Sequence, residues 1–370
     1  MQTNALKRDL RIDLLRGLAL VFIYIDHIPF DRLSHLTLRN FGYTNAADVF
    51  VLLAGTSFAL AYARRLDVSG LKAVLGPVLR RIFTIYFAHI LVLLLGLIVL
   101  VQAGRDAPLD LFSTISGPVW AGLSPRDAIA MATTLEYQPP YFDILPLYVA
   151  LLLMAIPILL LARVHWALAL AASIALWAFA EFYGLNFSST RSDAGWYFNP
   201  LSWQFVFTVG ICLGLASQRP APILEVPWLP LVCVLYLCVA FFMSAPWRRY
   251  GVPIDYCNIE TLPLLNSSVD RQTPWRFANT LAWVFLIARY VPRDAGWLTH
   301  PVTQLATRMG RHSLAVFCVG SLLSLVARVF FACTHDSWLV EIALDVGGTG
   351  LLALTAYMLD HEPRHAPDTA

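Results

Sequence analysis

Arg16 and His27 stand eleven residues apart in the first long apolar stretch, where an ionisable side chain is costly. At about 100° per residue that spacing returns to within roughly 20° of its starting direction. On a helix the two side chains therefore share one face, about 16 Å apart along the axis. Asp13 joins the same stripe one turn before Arg16. His27 offers an imidazole whose unperturbed pKa of about 6.5 suits proton removal near neutrality. Arg16 offers a planar fork of donors that matches phosphate. Charges inside a membrane face protein or a wet cavity and mark functional paths, because leaving them in lipid costs several kcal/mol. The bland alternative for His27 is a packed, hydrogen-bonded core histidine.

The neighbouring residues extend this constellation. Asp26 adjoins His27 but points about 100° away around a helix. Asp48 falls in the second apolar segment, joined to the first by a short connection that makes the two antiparallel neighbours. It could orient His27, or it could cap or ion-pair a helix end. Arg80 and Arg81 open the third segment on the same side as Arg16 and could help hold a phosphorylated donor, although flanking arginines also mark an ordinary helix end. A phosphate-binding end with a base about half a bilayer away fits a long anionic donor such as an acyl-CoA, whose thioester would meet a hydroxyl acceptor from the far side.

The elements that must position these groups are membrane helices. The 370 residues are 58% hydrophobic and only 14% charged, which indicates an all-α polytopic membrane protein. Windows of about 20 residues place ten transmembrane helices near 12–33, 45–64, 80–102, 142–162, 165–184, 200–217, 228–245, 277–292, 313–332 and 338–359. The arginines and lysines concentrate in the loops on the side of residue 1, so both termini are expected in the cytoplasm. The first apolar run follows Lys7, Arg8 and Arg11 but carries Asp26 and His27 and no clear cleavage site, so it reads as a retained helix rather than a signal peptide.

No internal repeat or separate soluble domain is evident, and 1–370 reads as one domain. A net charge of +2 suggests no nucleic-acid partner. The six cysteines form no CxxC pair or His/Cys ligand set, so no metal is expected. Cys257 and Cys333 could meet on the outer side, but nothing in their spacing requires it. Two long outer loops, 103–141 and 246–276, suggest function. The first holds a helix start at Ser124-Pro125-Arg126-Asp127; the second mixes Trp247, Tyr250, Tyr256 and Trp275 with charges, which suits either a sugar surface or an interfacial aromatic belt.

Several runs resemble the OpgC family within the transmembrane acyltransferase (acyltransferase-3-like) superfamily. These are Arg8-Asp9-Leu10-Arg11-Ile12-Asp13-Leu14-Leu15-Arg16-Gly17-Leu18-Ala19-Leu20, Asp26-His27-Ile28-Pro29, Leu38-Arg39-Asn40-Phe41-Gly42 and Ala46–Gly55. Asp143-Ile144-Leu145-Pro146-Leu147-Tyr148, Trp196–Gln204 and Gly310–Phe317 continue the match in order along nearly the whole chain. The resemblance implies a ten-helix inner-membrane enzyme moving an acyl group, succinyl in this family, from cytoplasmic acyl-CoA to hydroxyls of periplasmic glucans. It maps an Arg-x10-His motif onto Arg16 and His27, with His27 as catalytic base, and a third-helix arginine motif loosely onto Arg80 and Arg81. Where many relatives have Ser-Gly after the second-helix aspartate, this chain has Ala54-Gly55.

Asn199, Trp203 and Gln204 follow an outer loop and are expected to line an acceptor or thioester pocket, with Asp143 counted beside them; Asn199-Pro200 could equally just start a helix. Arg328 and Asp345 are further intramembrane charges expected to pair. A succinyl carboxylate would need a cation, for which Arg39, Arg191, Arg248, Arg249, Arg271 and Arg276 are outer-side candidates. Two other readings stay open: a transporter or flippase gated by the buried charges, and a non-catalytic partner of a glycan synthase.

Overall fold

The computed structural model describes residues 8–28, 31–103, 124–190, 194–217, 222–244, 272–334 and 338–361. Within them the regular elements are eleven α-helices and a few short 3-10 turns. The helices are α1 Leu10–Asp26, α2 Ala46–Ala103, α3 Pro125–Thr133, α4 Ile144–Val164, α5 Trp166–Tyr183 and α6 Pro200–Ala216. They continue with α7 Leu229–Ser244, α8 Pro274–Tyr290, α9 Pro301–Arg311, α10 Ser313–Thr334 and α11 Trp338–His361. Five of them, α2, α4, α5, α10 and α11, are long and apolar enough to cross a membrane, and α6 and α7 are shorter apolar helices. The chain is a multi-pass helical membrane protein.

The apolar segments read from sequence are helical, with two differences. The first helix stops at Asp26 instead of running to residue 33, so His27 caps the helix end. The second and third segments merge, because residues 65–79, expected as a loop, are helical on both sides of a break at Gly70 (φ 74°, ψ −179°). The run Leu71-Lys72-Ala73-Val74-Leu75 consists mostly of good helix formers and carries the second limb. A Cβ on Gly70 would meet nothing within 4 Å, so glycine serves there for its backbone angle.

Two helices lie outside the ten segments. Ser124 starts α3 as read: its Oγ accepts the Asp127 N–H at 3.2 Å and donates to Asp127 Oδ2 at 2.7 Å. The second, α9, starts at Pro301 after His300, whose Nδ1 accepts the Val302 N–H.

The chain falls into two compact units, residues 1–34 with 292–370, and residues 35–291. The first holds α1 and α9–α11, the second α2–α8. Lipid tails are as apolar as leucine, so membrane helices associate through close backbone packing instead of water exclusion. In the first unit a Cβ on Gly17 would lie 1.8 Å from the Ala306 carbonyl oxygen, and one on Gly310 would lie 1.8 Å from that of Asp13. The second unit repeats the device between α2 and α6: a Cβ on Gly55 would meet the Phe207 carbonyl at 2.1 Å, and one on Gly210 that of Leu52 at 2.1 Å. Gly214, four residues on, completes a small-xxx-small stripe against Thr56 and Ala59.

Backbone cannot yield to an added methyl as a flexible side-chain tip can. Gly310→Ala should therefore push α1 and α9 apart at a cost of about 1–3 kcal/mol, read as a lowered thermal unfolding midpoint of the purified protein. An unchanged midpoint would mean the crossing is looser than described.

Candidate functional site

In the first unit, α1 is built as a rigid carrier. Asp9 caps it by accepting the Arg11 N–H at 3.1 Å, and its carboxylate also takes the Arg11 side chain at 2.9 and 2.7 Å. Burial alone would push the Asp9 carboxyl up, but the Arg11 hydrogen bond, with Arg11 and Arg293 as neighbouring cations, holds it below the usual carboxylate range. At the other end the His27 N–H reaches the Ile23 and Tyr24 carbonyls, both at 3.2 Å. Every residue from Arg16 to Asp26 is helical, so the separation of about 16 Å between Arg16 and His27 follows from the 1.5 Å rise. Arg16, Asp26 and His27 are all half-buried. Asp13, expected beside the donor, is buried and spent on Arg8, which reaches it through Nε and Nη2.

The turn that carries His27 is held by one stripe of α11. Tyr24 is 2% exposed and donates its hydroxyl to the Leu344 carbonyl at 2.9 Å. The ring tip fits because residue 348 is glycine: a Cβ there would lie 1.9 Å from the Tyr24 oxygen. Beyond the helix, the Arg32 N–H donates to Glu341. Asp31 is buried nearby. Asp345 is buried beside Asp31, and no hydrogen bond joins it to Arg328.

In the second unit the centre is Asp48, which is 0% exposed. Its Oδ2 accepts the Asn45 N–H at 2.8 Å and pairs with Arg276 Nη2 at 2.7 Å. Its Oδ1 accepts Gln272 Nε2 at 2.8 Å and Arg276 Nε at 2.9 Å. Asn45 returns the favour by accepting the Ala47 and Asp48 N–H groups, so the start of α2 is a reciprocal cap. The capping and ion-pairing reading of Asp48 is thus realised directly. Arg276 lies 5.8 Å over the Trp203 ring, and the Gln272 carbonyl accepts the Trp177 indole N–H at 2.8 Å. Alongside, Asn279 Oδ1 accepts the Thr44 hydroxyl at 2.7 Å, which ties α8 to the segment entering α2.

The expected pocket residues are committed to the fold. Asn199 caps α6 by accepting the Leu201 N–H at 3.0 Å and donates to the Leu185 carbonyl at 2.7 Å. Gln204 accepts the Ser173 hydroxyl at 2.6 Å and donates to the Ser173 and Leu201 carbonyls at 2.9 and 3.1 Å. Trp203 is fully buried against Phe198. Asp143 is buried immediately before α4 and makes no side-chain cap bond. On the second limb of α2, Arg80 is exposed and Arg81 half-buried. The structure brings Asp48 and Trp203 together through Arg276, and keeps Arg16, Asp13, Asp26 and His27 on one helix.

From sequence Arg276 is only one of several cations for a donor carboxylate. Its sequence signal was an arginine two residues inside an apolar helix after the Thr273-Pro274 start, where an unpaired charge has no place. Of the other cations in that set, Arg39 is exposed, while Arg191, Arg248, Arg249 and Arg271 lie outside the described residues. The aromatic stretch 247–256 and Cys257 lie outside them too; Cys212, Cys233, Cys238 and Cys318 are free thiols.

A helical membrane protein with an imidazole and a guanidinium carried by one helix, and a caged carboxylate in its other unit, is the class defined here. A family model described as OpgC protein matches residues 8–364, so the chain belongs to the OpgC family. Membership implies a role in glucan succinylation, with acyltransferase activity, a succinyl donor and a glucan acceptor. No curated protein and no solved structure matches the chain.

Removing one partner of a buried, hydrogen-bonded ion pair costs about 3–5 kcal/mol. Asp48→Asn should accordingly destabilise the protein strongly by leaving Arg276 buried without its counter-charge, and Asp48→Leu with Arg276→Met should recover much of the loss. Equal destabilisation in the single and double variants, measured by thermal unfolding, would contradict the pairing.

Proposed function

We propose that this chain is an inner-membrane O-succinyltransferase. In this reading its ten apolar segments cross the membrane with both termini in the cytoplasm. The succinyl group passes from cytoplasmic succinyl-CoA to a hydroxyl of a periplasmic glucan. The observation that carries the reading is the OpgC match over residues 8–364, within which an unbroken α1 presents Arg16 and His27 at a fixed separation. The arginines gathered at the start of α1 support a cytoplasmic, donor-facing end.

His27 takes the proton of the glucan hydroxyl as its oxygen attacks the thioester carbonyl. The C–S bond then breaks, and the proton passes to the departing thiolate, giving the glucan ester and free coenzyme A. Arg16 holds the donor on the cytoplasmic side through charge-assisted hydrogen bonds. Asp26, on the same helix, orients the imidazole. Asp48 already carries three hydrogen bonds and an ion pair with Arg276, and its part is to hold Arg276, Gln272 and the start of α2 in register.

His27→Ala should abolish succinylation of added glucan by the purified protein while leaving its unfolding midpoint near that of wild type. Succinate still appearing on glucan, measured by mass spectrometry, would sink the mechanism. Arg16→Ala should weaken binding of the donor by roughly tenfold, the worth of one charge-assisted contact; equal affinity by calorimetry would reject its role.

A further inference from the structure

Five arginines and one histidine gather around three aspartates at the end of the first unit where α1 begins. Asp9 takes Arg11 at 2.7 Å and Arg293 at 3.4 Å, and Asp13 takes Arg8. Asp360, in the last turn of α11, takes His312 Nε2 at 2.7 Å on one oxygen. Its other oxygen faces Arg308 Nε and Arg311 Nη1, both at 3.5 Å. Asp360 also acts on Arg8, so the three aspartates belong to one neighbourhood. With five arginines around three aspartates, the cluster keeps an excess of positive charge.

Arg308 and Arg311, like Arg293 on Asp9 and Arg32 on Glu341, meet their carboxylate through a long contact, unlike the paired forks elsewhere. Arg8, Arg11, Arg163 and Arg276 each engage their carboxylate through two nitrogens, at 3.0 Å or less. Arg308 and Arg311 instead converge on a single oxygen at 3.5 Å, beyond the usual 2.7–3.2 Å hydrogen-bond range. Two guanidinium forks, partly exposed and aimed at one spot, are thus held by attraction without being satisfied there. The Arg308 fork is also steadied 5.5 Å over the Tyr357 ring. A tetrahedral phosphate accepts paired N–H bonds from more than one fork at once, which a carboxylate already held by His312 cannot do.

The geometry points to Arg308 and Arg311 of α9 as the site for a phosphate-bearing ligand, the nucleotide end of the acyl-CoA donor, with Asp360 as the resident carboxylate that the phosphate displaces. The site rests on the acyltransferase reading and adds to it a second anchor, on a different helix from Arg16. Gly310, which lies between the two arginines in sequence, is the residue that touches α1 at Asp13 and Gly17, so the forks are fixed relative to the helix that carries His27.

The test uses the full chain in nanodiscs of phosphatidylcholine, titrated calorimetrically with coenzyme A, 3′-dephospho-coenzyme A and pantetheine. Wild type should bind coenzyme A more tightly than pantetheine. Arg308→Ala with Arg311→Ala should weaken coenzyme A binding by about tenfold or more and leave pantetheine binding unchanged, and the two Lys replacements should restore part of the loss. Asp360→Asn, which removes the competing charge but not the side-chain volume, should tighten coenzyme A binding.

If wild type binds coenzyme A and the Ala variant binds it equally well, the site is overturned while the acyltransferase reading stands. The site also falls if Asp360→Asn weakens coenzyme A binding, or if the arginine changes alter only the retention of phosphatidylglycerol, which would make this a lipid-headgroup site. A wild-type protein that binds none of the three would bring down the donor assignment itself, and this site with it.

Discussion

Backbone-to-backbone contact at glycine is the constraint on which the rest of the first unit depends. Where α1 crosses α9, carbonyls of one helix lie where a Cβ of the other would be, and the same holds between α2 and α6 in the second unit. A solvent of lipid chains gives no reward for burying leucine against leucine, so the attraction must come from many short van der Waals contacts that only a hydrogen side chain permits. Once α1 is seated in this way its rotation is fixed, and with it the face that carries Arg16 and His27. The Tyr24 hydroxyl and the glycine at 348 then settle the far end of the same helix against α11.

Charge follows the same economy. In the second unit Asp48 and Arg276, from helices distant in sequence, neutralise one another with hydrogen bonds on both carboxylate oxygens, so neither ion is left uncompensated in an apolar interior. The first unit sorts its charges by position instead. Its arginines outnumber the aspartates where α1 begins, while Asp31, Glu341 and Asp345 lie buried beyond the other end. One unit cages its charges into neutrality, and the other lays them out along the axis of a single helix.

The sequence displayed the apolar helices because hydropathy is a local property, and it displayed the face shared by Arg16 and His27 because helical periodicity is local too. It did not display α9: Arg308 and Arg311 lower the hydropathy of any window containing them, so a short helix with one apolar face passed for a connection. Residues 65–79 read as a loop because Arg64, Arg65, Asp67, Gly70 and Lys72 interrupt the apolar pattern, yet propensity continues the helix on both sides of one glycine. The partners of Asp48 were out of reach for a different reason, since Gln272 and Arg276 lie more than two hundred residues away and their pairing depends on how helices meet. Asn199 and Gln204 drew attention as polar groups at a mouth; their hydrogen bonds close on Leu185, Leu201 and Ser173, which no spacing rule could foresee.

The unbroken course of α1 carries one more consequence. A helix capped at Asp9 and closed at His27, with no proline, glycine break or bulge between Arg16 and Asp26 other than the packed Gly17, has no joint at which it can shorten or bend cheaply. Whatever is gripped at one end and altered at the other must therefore span a set length. Such a rod selects by reach: in the proposed reaction a donor must extend about 16 Å from guanidinium to imidazole, roughly half the hydrocarbon core, whatever the fit of its two ends.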